Sequence, residues 1–216
     1  MIAYILSIPE RSQSVRTLIN QLLLVECIDE IALIIDRDHT GLVWNRRRAH
    51  EIIRKRDTPC LLFEDDARII PSIVSQHLPH LVKHCSEDVG MISLFCPPQK
   101  KYDELREKGF HGIKSEEFLW AQMILIQPSF AGAVNDCDEA PEIQPYYTEK
   151  RYVNASKKTG MKIITLTKSL AWHDISVKST WGTPAKVGGT IRDTRCMATS
   201  QDDFSLLNLK LKKFKQ

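Results

Sequence analysis

The sequence lacks the motifs that would mark several common nucleotide- and metal-binding folds. No GxxxxGK[ST] phosphate loop occurs, and no GxGxxG follows the first predicted strand, which argues against a P-loop NTPase and a dinucleotide-binding Rossmann domain. None of the six cysteines forms a CxxC pair, so neither a zinc ribbon nor a thioredoxin-like site is expected. No apolar run approaches the roughly 20 residues of a membrane-spanning helix, and we expect no membrane partner.

The cysteines that are present lie mainly in apolar surroundings. Cys60 precedes LLF and Cys96 follows SLF, positions typical of reduced thiols packed in a core. A chain without a disulfide framework suits a reducing compartment, so we expect a cytoplasmic protein.

The net charge is small, but the basic residues are clustered. Lysine and arginine exceed aspartate and glutamate by only three, too few to indicate a nucleic-acid partner. Basic runs nevertheless occur at Arg46–Arg48, at Arg54–Arg56 and in the C-terminal LKLKKFKQ. Such runs are usually solvated surface, and otherwise they bind a polyanion through its phosphates.

Short apolar runs alternate with amphipathic stretches, which is the pattern of βαβ units. The predicted strands are Ile2–Leu6, Glu30–Asp36, Pro59–Phe63, Val89–Phe95, Trp120–Gln127 and Lys162–Leu166. The predicted helices are Ser12–Val25, Trp44–Arg56, Ser72–Cys85, one starting at Pro128, and Tyr147–Thr159, while residues 99–119 are predicted to form a polar loop or flap. We therefore expect an α/β domain with a mostly parallel central sheet flanked by helices.

The third predicted strand ends on three consecutive acids, Glu64, Asp65 and Asp66. Ligands of open α/β sheets bind beyond the carboxyl ends of the strands. Adjacent carboxylates repel one another unless a cation neutralises them, and carboxylates are suitable ligands for Mg²⁺ or Mn²⁺. A divalent ion there would bind the diphosphate of a nucleotide. The alternative is a solvated acidic turn that caps the following helix.

The segment CLLFEDDARII resembles the DxD region of GT-A-fold glycosyltransferases, in which an acidic triplet binds a metal–nucleotide diphosphate. Three further segments resemble parts of the same family. Small bacterial and phage members have a segment similar to GLVWNRRRAHEII. The family's first loop resembles PERSQSV, and its closing loop, in which a histidine completes the metal site, resembles KSLAWHDISVKSTWG. The resemblance covers roughly Met1 to Gly182 and leaves residues 183–216 as a C-terminal extension with a basic tail. It implies a GT-A-like Rossmann-type sandwich, a UDP-sugar donor such as UDP-glucose, and Mn²⁺ or Mg²⁺ as cofactor.

The resemblance also implies roles for single residues. Asp66 and His173 would be metal ligands, joined by Glu64, where the common pattern has aspartate and where the longer side chain would alternatively reach the ribose or a water. Glu149 would be the base toward the acceptor hydroxyl, so Glu149 and Asp66 are the implied catalytic residues. Donor contacts are implied for Pro9, Arg11, Asp36, Trp44, Asn45, Glu64, Asp65, Trp120 and Gln122.

Four of these positions have a purely structural alternative. Asp36 would cap a helix or a turn, Trp44 would be a core residue that starts a helix, and His173 would be a hydrogen-bonded core histidine. Glu149 would favour the first turn of a helix through the helix dipole.

The resemblance implies a metal-dependent glycosyltransferase and extends to phage enzymes that glycosylate hydroxymethylated pyrimidines in DNA. We therefore expect a DNA acceptor bearing 5-hydroxymethyluracil or a related base, with Tyr102, Phe110 and His111 as candidates to fill the gap left by a flipped nucleotide. Alternatives are a glycan or lipopolysaccharide acceptor, a nucleotidyltransferase, and a non-catalytic nucleic-acid-binding module. The nucleotidyltransferase usually has a glycine-rich first loop, which PERSQ is not, and the binding module needs exposed aromatics among the basic residues.

Overall fold

The computed structural model describes residues 1–86, 88–96, 100–114, 121–137, 148–174, 197–202, 204–205 and 211–213. Its strands are β1 (Ile2–Ser7), β2 (Glu30–Ile35), β3 (Cys60–Glu64), β4 (Ala67–Ile69), β5 (Val89–Ser93), β6 (Gly112–Lys114), β7 (Met123–Ile126), β8 (Lys162–Leu166), β9 (Ala171–His173) and β10 (Leu211–Lys213). Its helices are α1 (Ser12–Leu22), α2 (Leu42–Ile53), α3 (Pro71–His84), α4 (Lys100–Glu107), α5 (Pro128–Asn135) and α6 (Thr148–Thr159).

The described strands form a mixed central sheet and a separate two-stranded one. The order in the central sheet is β10-β6-β8-β5-β7-β3-β1-β2, and β4 pairs with β9 in the small sheet. Four pairings of the central sheet are parallel, and three are antiparallel, two of them made by β7. This confirms the predicted α/β class with a mostly parallel sheet flanked by helices.

The order of the first three strands creates a crevice at one edge of the sheet. β1 lies between β2 and β3, so the chain moves to one side of β1 and then crosses back to the other. Such a reversal of strand order is where open α/β sheets bind their ligands, outside the carboxyl ends of the strands. The residues that follow β1 and β3 therefore meet at this edge.

The central strands bury both faces because successive side chains point to opposite sides. Ile5 and Phe63 contribute to a core with α1 and α3, whereas Tyr4 and Leu62 contribute to a second core with α2, α5 and α6. The five cysteines in the described part of the chain are free thiols, and four of them are buried. No helix among the described residues is long and apolar enough to cross a membrane.

The prediction of a loop or flap over residues 99–119 is wrong where the structure describes it. Residues Lys100–Glu107 form α4 and Gly112–Lys114 form β6, which pairs with β8. Tyr102 and Leu105 pack with Cys96 and Ile113 in a small third core. Two apolar side chains in such a charged helix are too few to show its periodicity in the sequence.

The described residues beyond 182 pack on the same body as the central sheet. Phe204 is buried in the core and its carbonyl lies 2.9 Å from His84 Nε2, while β10 extends the sheet next to β6. The predicted boundary between a domain at 1–182 and an extension at 183–216 stays a prediction, since residues 175–196 lie outside the described part.

Gly90 allows α5 to pack directly on β5, and we expect Gly90→Ala to destabilise the protein. A Cβ at this position would overlap the ring of Phe130, which is fully buried. Overpacking of this kind costs about 1–3 kcal/mol. The matched control is Gly132→Ala in α5, where the new Cβ would lie 3.7 Å from Arg54 Cβ in an ordinary contact. That change should stabilise by up to about 1 kcal/mol, because alanine favours helix over glycine. Urea unfolding of both variants measures the two effects, and equal stability of the two variants would contradict the packing argument.

Candidate active site at the carboxyl ends of the central strands

The acidic triplet lies at the carboxyl end of β3, as the sequence predicts. Glu64 is the last residue of the strand, and Asp65 and Asp66 form the turn to β4. Both aspartates are buried, at 3% and 6% exposure. The solvated acidic turn is therefore excluded, and each carboxylate needs a partner in the protein or from a ligand.

Both oxygens of the Asp65 side chain accept hydrogen bonds from the end of β1 and the turn that follows it. Ser7 Oγ donates to Asp65 Oδ2 at 2.6 Å, and Arg11 Nη1 lies 2.5 Å from Oδ1. Burial raises the pKa of Asp65, while these hydrogen bonds and the charge of Arg11 act in the opposite direction. Ser14 Oγ donates to the Asp65 backbone oxygen at 2.7 Å. Asp65 therefore joins the start of α1 to the end of β3.

Asp66 and His173 are brought together by the small sheet. β4 and β9 pair antiparallel with Ala67 opposite His173, and Asp174 N donates to Asp66 O at 2.8 Å. His173 Nε2 lies 3.0 Å from Asp66 Oδ2, across 107 residues of sequence. Burial lowers the pKa of His173, but the hydrogen bond to Asp66 and the charges of Asp66 and Glu64 outweigh burial and raise it.

The Asp66–His173 pair fits a divalent ion. Asp66 Oδ1 is buried and has no hydrogen-bond partner in the protein, so a water or a bound ion would satisfy it. In the part of the chain that the structure describes, no group of three or more histidines, cysteines or acids is arranged to hold a metal. Two protein ligands are nevertheless enough for an ion that also takes substrate phosphates and water.

Glu64 faces a different partner. Its Oε1 forms an ion pair with Arg46 Nη2, and Arg46 Nη1 lies 3.3 Å from Glu149 Oε1 in the first turn of α6. Burial lowers the pKa of Arg46, but the charges of the two glutamates outweigh the effect of burial. The net result is a raised pKa of Arg46, so the guanidinium stays charged. The predicted residues Glu64 and Glu149 thus lie at one buried arginine.

Asp36 and Asn45 organise the loop that follows β2. Asp36 is buried and accepts hydrogen bonds from Thr40 N, Thr40 Oγ1 and Gly41 N at 2.7–3.0 Å, as the turn-capping alternative predicts. Burial raises the pKa of Asp36, but the hydrogen bonds from Gly41 and Thr40 outweigh the effect of burial, so the pKa of Asp36 is lowered overall. Asn45 Nδ2 donates to Ser7 O and Ile34 O, so it ties β1 to β2, while its Oδ1 has no partner.

The remaining predicted donor contacts differ in exposure. Trp44 is 44% exposed, so the core alternative is wrong, and the Arg47 guanidinium lies 5.1 Å from its ring centre. Pro9 is exposed in the short 3-10 turn after β1. Gln122 is buried, its backbone oxygen accepts from Glu64 N at 3.0 Å, and its Oε1 has no partner. Trp120 lies outside the described residues.

The expectation that Arg46–Arg48 and Arg54–Arg56 form exposed basic runs is wrong in part. Arg46 is buried between two glutamates, and Arg56 is partly exposed and donates to Tyr4 OH. Arg54 is exposed, as expected, although it pairs with Glu51 and Asp136. Tyr102 is buried as well, so it cannot fill a gap in DNA. Consecutive charges in a helix point in different directions, because each residue turns by about 100°.

Sequence reasoning missed Arg68 as an organiser of this site. Its guanidinium donates to Ser14 Oγ at 2.7 Å and to Asp65 O at 3.0 Å, and it lies 3.0 Å from Asp174 Oδ2. It thereby connects α1, β4 and the residue after His173. The sequence signal that could have identified Arg68 is its position two residues after the acidic triplet, since buried carboxylates need nearby cations.

Solved structures relate this fold to known proteins. No protein-family model and no curated protein matches the chain. A crystal structure of a glycosyltransferase involved in the glycosylation of the major capsid of PBCV-1 is similar, with a TM-score of 0.54 and 10% identity over 82% of this chain and 95% of that one. The chain has the fold of a glycosyltransferase. A protein from STIV is a weaker match, with a TM-score of 0.39 and 11% identity over 80% of this chain and 85% of that one.

Proposed function

We propose that this protein is a metal-dependent glycosyltransferase that moves a sugar from a UDP-sugar to an acceptor hydroxyl. The observation that carries the proposal is the Asp66–His173 pair with its unpartnered Asp66 Oδ1, at the strand crevice of a glycosyltransferase fold. The donor class follows from the resemblance of the first loop and the acidic triplet to those of GT-A enzymes.

The balance of charge supports a divalent cation at this place. Four carboxylates and two guanidinium groups are joined there by ion pairs: Glu64, Asp65, Asp66 and Glu149, with Arg11 and Arg46. With a neutral imidazole at His173, two negative charges are left over. A divalent ion would balance them, and an imidazole ligand beside carboxylates favours Mn²⁺ over Mg²⁺.

The chain's own residues supply the remaining functions. Asp66 and His173 would hold the ion, which when bound stabilises the charge of a departing diphosphate. Arg11, whose Nη1 lies 3.4 Å from Asp66 Oδ2, adds a positive charge beside the same place. Glu149, half-buried in the first turn of α6, would take the proton of the acceptor hydroxyl.

For the acceptor we propose DNA that carries 5-hydroxymethylpyrimidines. The exposed Trp44 and Arg48 and the partly exposed Arg47 form a surface at the start of α2, close to Asn45 and therefore to the crevice. An aromatic ring beside cations suits a nucleic acid, because bases stack on the ring and phosphates pair with the cations. A glycan is the alternative acceptor.

The experiment is a transfer assay read by mass spectrometry. Purified protein is incubated with UDP-glucose or another UDP-sugar, with Mn²⁺ or EDTA, and with hydroxymethylated DNA, unmodified DNA or a glycan. We expect one sugar mass per hydroxymethylated base, Mn²⁺-dependent donor hydrolysis without acceptor, and DNA affinity that falls steeply with salt. Transfer to the glycan alone would replace the DNA acceptor and keep the enzyme class. DNA binding without hydrolysis of any UDP-sugar would instead favour the non-catalytic binding module.

A further inference from the structure

Arg46 is a buried charged group to which the proposed reaction assigns no step. Its side chain is 4% exposed and lies in the second turn of α2. One arm of the guanidinium pairs with Glu64 at the end of β3, and the other lies 3.3 Å from Glu149 at the start of α6. A single cation therefore joins three elements that are far apart in sequence.

We propose that Arg46 is a positioning residue that keeps Glu64 out of the metal site and holds Glu149 toward the acceptor hydroxyl. This inference rests on the proposed function. It assigns Glu64 to Arg46 instead of the ion, so the metal would be held by Asp66 and His173 without the first acid of the triplet.

The geometry of arginine explains why one residue serves both glutamates. The planar guanidinium presents its donors in a fixed fork, so it addresses two carboxylates in defined directions. Without it, two negative side chains would face each other in a partly dry site and repel. A lysine carries the same charge on a single nitrogen and cannot reproduce the fork.

A second contact fixes α6 against α2 at the same register. One turn beyond Arg46, His50 Nε2 lies 2.9 Å from Tyr152 OH, which is three residues after Glu149. Both helices pack on α5, and the Arg46–Glu149 and His50–Tyr152 contacts join them to each other through their side chains.

The β4–β9 pairing makes the metal pair independent of this arginine. His173 is held opposite Ala67 by the small sheet, and Asp66 is held through the Asp174 amide. Neither contact involves Arg46 or Glu64. Loss of Arg46 should therefore leave Asp66 and His173 in place, while it releases Glu64 toward the ion and Glu149 from its position as base.

The test compares Arg46→Met, Arg46→Lys and Glu64→Gln with wild type, using kcat, donor KM, Mn²⁺ affinity by electron paramagnetic resonance, and thermal melting. Arg46→Met should lower kcat at least about tenfold, because small displacements of a base are costly, with donor KM within about twofold of wild type. Its Mn²⁺ Kd should fall, because the released Glu64 adds a negative charge beside the ion. Arg46→Lys should recover part of kcat. The matched control is Arg54→Met, since Arg54 also lies between two acids, Glu51 and Asp136, but is 42% exposed. It should change none of these values.

A double variant separates positioning from mere support of the fold. If Arg46 acts through Glu149, Arg46→Met with Glu149→Gln should be no slower than Glu149→Gln alone. Multiplied losses, or a tenfold rise of donor KM in Arg46→Met, would overturn the proposal.

Mn²⁺ binding tests the second part of the proposal, that Glu64 is not a metal ligand, without requiring sugar transfer. Glu64→Gln should keep the wild-type Mn²⁺ Kd within about twofold, whereas Asp66→Asn should weaken it at least about tenfold. An equal weakening in both variants would make Glu64 a ligand and refute its assignment to Arg46. If the wild-type protein transfers no sugar yet binds Mn²⁺, the proposed function fails. The Mn²⁺ binding experiment still shows in that case whether Glu64 is a metal ligand.

Discussion

Asp66→Ala should lower sugar transfer by about 10³-fold, a loss typical of removing a group that stabilises charge in the transition state. Asp66 is the residue on which the metal site depends, because it pairs with His173 and keeps a second oxygen without a partner. The fold should survive, since the backbone bond from Asp174 N to Asp66 O does not need the side chain. Removing one of three adjacent acids also reduces their repulsion, so the melting temperature should stay level or rise.

The measurements for this variant are the transfer rate, Mn²⁺ affinity and thermal melting. The matched control is Asp88→Ala, because Asp88 precedes β5 and so lies at the opposite edge of the sheet, where it is exposed and pairs with Lys162. It should retain wild-type transfer. Wild-type activity of Asp66→Ala, or full activity of the unchanged protein in EDTA, would rule out the metal-dependent mechanism.

His173→Ala should lower transfer by about 10²-fold and should be partly rescued by excess Mn²⁺, because an ion that loses one ligand still binds at higher concentration. The side chain is 28% exposed, so little apolar packing is lost. Asp66 keeps its contact with Arg11, which limits the cost to stability.

The comparison variant for His173 is His84→Ala. His84 is also partly buried and bonded through Nε2, but to the backbone oxygens of Phe204 and Ser205, away from the triplet. It should lose stability without losing Mn²⁺ affinity. The same pattern in His173→Ala, with unchanged metal binding and only a lower melting temperature, would make it a structural histidine and leave Asp66 as the one protein ligand among the described residues.

Much of the central sheet was predictable from local patterns. The apolar runs at Ile2–Leu6, Glu30–Asp36 and Lys162–Leu166 predict β1, β2 and β8 closely. β1 and β8 are continuous apolar segments because they are buried on both faces, whereas only Ile34 of the edge strand β2 is buried. The position of the triplet was predictable for the same reason, since Glu64 follows the run directly. The order and direction of the strands were not predictable in this way, and no local sequence pattern indicates that β7 is antiparallel to its neighbours.

The partners of the charged side chains came from pairings distant in sequence. β4 and β9 have three residues each, too few to show a period, yet their pairing places His173 beside Asp66. The run Arg46–Arg48 looks like a uniform basic patch, but the tertiary structure buries Arg46 between glutamates of β3 and α6 and leaves Arg48 exposed. Hydrophobic periodicity indicates whether a segment is buried. Whether a charged side chain is paired depends on which opposite charge the tertiary structure brings close to it.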